Sequence, residues 1–160
     1  SAMPDSLKLA TVWLLIGTAL FVAVQAMQRQ ADRARFSFDG ATGRVTLQRA
    51  NDGHFHWPGT VNGVAVDFLV DTGATRTALP EAVARRAGLV SEGTVRSSTA
   101  GGDVTGWVGR ASLELQGGLQ AERLPVTVLP ALESPLLGMD VLGRLHFSQA
   151  GGVLRLQPPR

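Results

Sequence analysis

The sequence predicts a mainly β domain with short helices, carried behind one long apolar helix. Nineteen glycines and eight prolines among 160 residues, with tyrosine absent, punctuate many short runs of branched and aromatic residues, as short strands and turns require. Hydrophobic residues make up 44% of the chain and charged ones 18%, the balance of a packed domain rather than a disordered one. From Leu9 to Met27 no charged residue occurs, and about 20 such residues suffice to cross a bilayer as a helix.

Charge and residue usage exclude several functions. The formal charge is +2, Lys8 is the sole lysine, and the arginines are scattered among acids, so no nucleic-acid footprint forms. With no cysteine, disulfides and thiolate metal sites are ruled out. His54 and His56 share one face of a strand but lack a third ligand, and they read as ordinary histidines rather than a metal site.

In order, residues 1–27 form an N-terminal membrane anchor or signal segment. Lys8 would mark the basic end of a signal, and Val24-Gln25-Ala26 resembles a cleavage site. Signal cores run to ~7–15 residues, so the length favours an uncleaved anchor. Residues 28–41, polar and arginine-bearing, read as a linker or stalk, and 42–160 as the globular domain. Arg44–Arg49 alternates as a first strand, Asn51-Asp52-Gly53 is a turn, and His54–Trp57 a short strand. Asn62-Gly63 between Val61 and Val64 is the strongest hairpin signal, and it delivers the strand Val64–Val70 into Asp71. Arg76–Leu79 returns as a strand, and Pro80 opens a helix over Glu81–Ala87 that Gly88 closes. Thr94–Thr99 and Val104–Val108 make a second hairpin with a glycine-rich tip. Ala111–Leu115, Leu119–Leu129 and Val153–Leu156 supply further strands. Leu136, Leu137, Val141, Leu142 and Leu145 recur with roughly helical spacing.

The chemistry gathers at Phe68-Leu-Val-Asp71-Thr72-Gly73-Ala74, an apolar strand running straight into a carboxylate, a hydroxyl and a glycine. Asp-Thr-Gly alone can be an ordinary turn. Followed by a short helix, a glycine-tipped hairpin and Leu136-Leu137-Gly138 leading into a helix, it resembles the catalytic loop of retropepsin-like aspartic proteases. The likeness runs over about 48–157, and Leu136-Leu137-Gly138-Met139-Asp140-Val141-Leu142 resembles the bacterial, membrane-anchored branch.

That resemblance implies a single acid-protease domain with Asp71 as the catalytic residue. Thr72 would bond across a dimer axis, and Gly73 would let backbone N–H groups approach the carboxylates. Ala74 stands where some relatives carry a hydroxyl, which moves the expected pH optimum towards neutrality. Ala100, Gly101 and Gly102 would form a flap over an extended peptide or protein substrate, with Leu136, Leu137 and Gly138 packing beneath the loop. Hydrolysis by this route needs two neighbouring carboxylates sharing one proton. The domain offers one such loop: Asp140 lies at a helix start, and Asp52, Asp67 and Asp103 read as solvated. A twofold homodimer would bring Asp71 to its twin. No metal or organic cofactor is needed. Counting positive charges alone would put the domain in the cytoplasm. The resembling bacterial proteins carry it outside the inner membrane, so a single-pass protein with a periplasmic domain is expected. The rival expectation is a non-catalytic peptide-binding or assembly module on the same fold.

Overall fold

The computed structural model of the protein describes residues 4–159; residues 1–3 of the expected anchor segment and residue 160 lie outside them. The chain divides into two compact units, one up to Arg35 and one from Phe36 onward.

The first unit is helix α1, Asp5–Ala34. Asp5 in its first turn and Arg33 in its last suit the helix dipole. The hydroxyls of Thr11 and Thr18 donate to the carbonyls of Leu7 and Leu14, at 2.9 and 2.8 Å, so they need no outside partner. Trp13, Leu14 and Phe21 are exposed, and no residue of the helix is buried. Among the described residues this one helix is long and apolar enough to cross a membrane, with mean hydropathy 2.1 in its most apolar stretch. It runs past the uncharged segment, so the stretch 28–41 is not the open linker expected. It is helical to Ala34, and Phe36–Asp39 then form strand β1 of the domain. The folded unit thus starts at Phe36 rather than at 42.

The second unit holds two sheets. Strands β1, β2 (Arg44–Gln48), β11 (Val153–Gln157) and β10 (His146–Ala150) form a small antiparallel sheet in that order. The larger sheet runs β3 (His56–Val61), β4 (Val64–Val70), β9 (Leu136–Leu137), β5 (Ala78–Pro80), β8 (Leu119–Leu129), β7 (Gly102–Leu115) and β6 (Gly93–Thr99). Strand β3 also pairs with β7, which closes the sheet on itself. Gly59 sits at that closure, where any Cβ would overlap the Glu114 carbonyl oxygen. Trp57 and Phe68 face each other across β3 and β4 and are almost wholly buried, with Leu79, Leu137 and Leu142 in the same core.

Several elements differ from the sequence reading. The strand expected at His54–Trp57 begins at His56 and continues through Pro58 to Val61. Ala111–Leu115 is no separate strand but the far half of β7, whose near half makes the hairpin with β6. The helical spacing after Leu136 hides a two-residue strand, because Leu136 and Leu137 pair with β4 before helix α3 (Met139–Leu142) begins. Strand β10, exposed along its whole length, carried no apolar pattern to announce it. Helix α2 (Glu81–Arg86) follows Pro80 as expected, and Gly88 takes φ +70° beyond it.

The Asn62-Gly63 turn does more than reverse the chain. Asn62 has φ 47° and Gly63 φ 82°, as a primed turn requires. The Asn62 side chain donates to the Ala87 carbonyl at 3.0 Å and accepts from the Ser112 amide at 2.8 Å, tying the turn to the end of α2 and to β7. Replacing Asn62→Ala removes both bonds and strains the backbone, so we expect a loss of about 2 kcal/mol in urea denaturation. Asn62→Gly, which relieves the strain alone, should lose less. Equal stability of all three proteins would contradict this role.

Candidate active site

Strand β4 ends in the apolar run Phe68–Val70, and the chain leaves the sheet at Asp71 because Thr72 and Gly73 form a turn. The Asp71 carboxylate folds back on that turn: Oδ1 accepts from the Gly73 amide at 2.9 Å. A Cβ on Gly73 would stand 3.2 Å from the same oxygen, so glycine keeps this approach free. Among the described residues no donor reaches Oδ2. Asp71 is half-buried, while Thr72 and Gly73 are exposed. One oxygen is thus fixed and the other is left open.

The loop is held from beneath by β9 and the start of α3. Strand β9 pairs in parallel with β4, Leu69 opposite Leu136 and Val70 opposite Leu137, and its Leu136 also pairs with Ala78 of β5. Residues 136–138 therefore lie between the two legs of the loop. The Asp71 amide donates to the Leu137 carbonyl at 3.0 Å, and the Met139 amide to the Ala74 carbonyl at 2.8 Å. Leu137 and Gly138 are buried and Leu136 is half-buried. A Cβ on Gly138 would stand 2.5 Å from the carbonyl carbon of Arg76 and 2.9 Å from the Ala74 oxygen, so only glycine fits. The structure thus brings Asp71, Thr72, Gly73 and Ala74 together with Leu136, Leu137 and Gly138.

Ala100, Gly101 and Gly102 form the exposed tip of the β6–β7 hairpin, where Gly102 has φ +110° and the Thr99 hydroxyl donates to its carbonyl at 2.8 Å. Among the described residues no hydrogen bond joins this tip to the Asp71 loop. The apolar cavity of about 180 Å³ beside Val45, Trp57 and Leu156 includes no residue of the loop.

Two further groups escaped the sequence reading. Asp140, expected only as a helix-start carboxylate, accepts from the Thr77 hydroxyl at 2.8 Å and from the Thr77 amide at 2.9 Å. Thr77 is wholly buried, and its hydroxyl oxygen also accepts from the Gly138 amide at 3.2 Å. Their separation of 63 positions leaves no local signal. Asp52 and Asp67 are exposed, as expected, and they also flank His56, at 2.6 Å from Nε2 and 2.7 Å from Nδ1. Among the described residues no group of three or more His, Cys, Asp or Glu could hold a metal ion.

The Thr77–Asp140 link gives a direct test. In Asp140→Ala the buried hydroxyl and amide of Thr77 both lose their acceptor, for an expected destabilisation of about 1–3 kcal/mol by chemical denaturation. Asp140→Asn keeps one acceptor oxygen and should lose less. An unchanged midpoint in the alanine variant would show that the link does not hold the loop.

Comparison with known proteins accords with this geometry. The family model described as gag-polyprotein putative aspartyl protease matches residues 57–144, more than half of the chain. The crystal structure of a retropepsin-like aspartic protease from Rickettsia conorii is similar at TM-score 0.59 and 27% identity, covering 77% of this chain and 95% of that one. The protease of EIAV, solved with the inhibitor HBY-793, is similar at TM-score 0.49 and 18% identity, over 61% of this chain and 92% of that one. An uncharacterized protein of Rickettsia prowazekii is 36% identical over 54 residues, 34% of this chain and only 23% of that protein's length. The chain belongs to the gag-polyprotein aspartyl protease family, and its folded unit is a retropepsin-like domain.

Proposed function

We propose that the chain is a membrane-anchored aspartic endopeptidase, active as a homodimer, in which Asp71 of each protomer forms the catalytic pair. The observation that carries this reading is the Asp71 carboxylate itself, with Oδ1 fixed by the Gly73 amide and Oδ2 open at the exposed end of the loop. Family membership supports the reaction class. Dimerisation is supported by the chain's own carboxylates. Asp140 is engaged with Thr77, and Asp52 and Asp67 with His56, so none of these is free to serve as Asp71's mate.

In this mechanism the ionised member of the pair takes a proton from a water, whose oxygen attacks the peptide carbonyl carbon. The protonated member donates to the carbonyl oxygen as the tetrahedral intermediate forms. Collapse of that intermediate breaks the C–N bond, the departing nitrogen gains a proton, and the pair again shares one. Thr72, exposed beside the axis, braces the two loops, and Ala100, Gly101 and Gly102 close over an extended peptide. Ala74 supplies no hydroxyl to the pair, which favours activity nearer neutrality. No metal or organic cofactor enters the reaction. Helix α1 serves as the single-pass anchor in a bacterial inner membrane, with the domain on the periplasmic side that the resembling bacterial proteins use.

Asp71→Asn tests the reading. It removes the group that shares the proton while preserving size, so peptide hydrolysis should fall by at least about a thousandfold. Binding of an extended peptide, measured by fluorescence anisotropy, should persist. Undiminished hydrolysis would remove the endopeptidase reading. Binding with no hydrolysis in the unsubstituted chain would point instead to a peptide-binding module.

A further inference from the structure

One cluster of titratable side chains takes no part in the hydrolysis described above. His56, at the start of β3, lies between two carboxylates, with Asp67 of β4 on Nδ1 at 2.7 Å and Asp52 of the preceding turn on Nε2 at 2.6 Å. A neutral imidazole has a single N–H and can donate to only one of them. Both contacts at these lengths call for the imidazolium, with a donor on each side. Asp52 also accepts from the His54 amide at 2.9 Å, so the same carboxylate that grips His56 shapes the turn. That turn is closed by the Gly53 amide on the Ala50 carbonyl and the Ala50 amide on the His54 carbonyl.

The position of the cluster gives it meaning. His56 pairs with Leu69, and the next bond along comes from the Val70 amide to the Phe55 carbonyl at 2.9 Å. The turn held by Asp52 therefore lies against the end of β4 from which Asp71 emerges. We propose that His56 is a positioning residue for the catalytic loop: bridging Asp52 and Asp67, it fastens the 51–53 turn to β4 and steadies the strand end that presents Asp71. This role rests on the endopeptidase reading of the same site.

Charge on the imidazole is what makes the bridge two-sided. Burial disfavours that charge, yet the bonds and charges of Asp52 and Asp67 outweigh it and hold His56 above its ordinary value. The groups facing the ring are Asp52 from the turn and Asp67 from β4. His54 acts on Asp52, and Arg49 stands over the neighbouring Phe55 ring at 5.3 Å. Asp52 is held below its ordinary value, first by the His54 amide and also by His56. The bridge's contribution is therefore complete below the ordinary imidazole value of 6.5 and is lost as pH rises through the raised one. On the acid side, Asp52's share is lost only as pH falls through its lowered value.

The experiment compares the full-length chain with His56→Gln, His56→Arg and Asp67→Asn in the same detergent. It measures kcat/KM against pH for a peptide substrate and hydrogen exchange at the Val70 and Gly73 amides at matched pH. We expect His56→Gln to lose about ten- to a hundredfold in kcat/KM at pH 6, chiefly in kcat. The unsubstituted chain should show an alkaline decline that moves to lower pH in Asp67→Asn. His56→Arg, whose guanidinium stays charged and can serve two carboxylates, should restore activity and shed that decline. Val70 protection, taken against its intrinsic exchange rate at each pH, should fall above the His56 titration in the unsubstituted chain but not in His56→Arg. An identical alkaline limb in all four proteins, or Val70 exchange indifferent to position 56, overturns the proposal. If the unsubstituted chain hydrolyses no peptide, the endopeptidase reading fails on its own, and Val70 exchange still decides whether His56 steadies the strand.

Discussion

The structure depends on a threading: residues 136–138 pass between the two legs of the Asp71 loop and bond to both. Strand β9 pairs in parallel with β4 on one side and meets β5 on the other. A loop so exposed at its tip would otherwise have little to define its shape. Here the Asp71 amide, the Ala74 carbonyl and Thr77 are each bonded to the threaded segment or to Met139 and Asp140 just after it. Buried backbone groups must find partners, and in this domain the pairing that satisfies them also sets the direction of a carboxylate.

Four carboxylates show how environment divides one chemical group among different tasks. Asp140 accepts two bonds from a single buried threonine and acts as a structural fastening. Asp52 and Asp67 are occupied by one imidazole between them. Asp71 has Oδ1 fixed by the Gly73 amide, while among the described residues no donor reaches its Oδ2. A pair of such groups brought face to face must share a proton, because two like charges at contact cannot both persist. The proposed chemistry follows from which carboxylates the fold has already engaged and which it has left open.

Much of this was legible in the residues. The Asn62-Gly63 turn fixed the β3–β4 register, the apolar run located β4, and Pro80 and Gly88 bracketed α2, each a local signal with a local cause. Leu136 and Leu137 misled because their spacing suits a helix, while their neighbours in space, 67 positions away, make them a strand. The same limit hid Thr77 and Asp140. The His56 bridge was within reach in principle: a two-residue turn at 62–63 places His56 opposite Leu69, and Asp67 is its diagonal neighbour on the same face. What was missing was Asp52, whose turn carries its side chain back to the ring. Strand β1 went unread because its polar surroundings suggested a stalk, and only pairing with β2 reveals it.

If the catalytic pair forms across a twofold axis, neither protomer is competent without the Asp71 of the other. The most direct measurement holds unsubstituted chain at fixed concentration, adds an equal amount of Asp71→Asn chain, lets the two dissociate and re-pair at random, and follows peptide hydrolysis. If each active unit needs both carboxylates, half of the unsubstituted chains end in dead pairs, and the rate should fall to about half. A rate that does not change on mixing would mean that one Asp71 works alone, and would contradict the account.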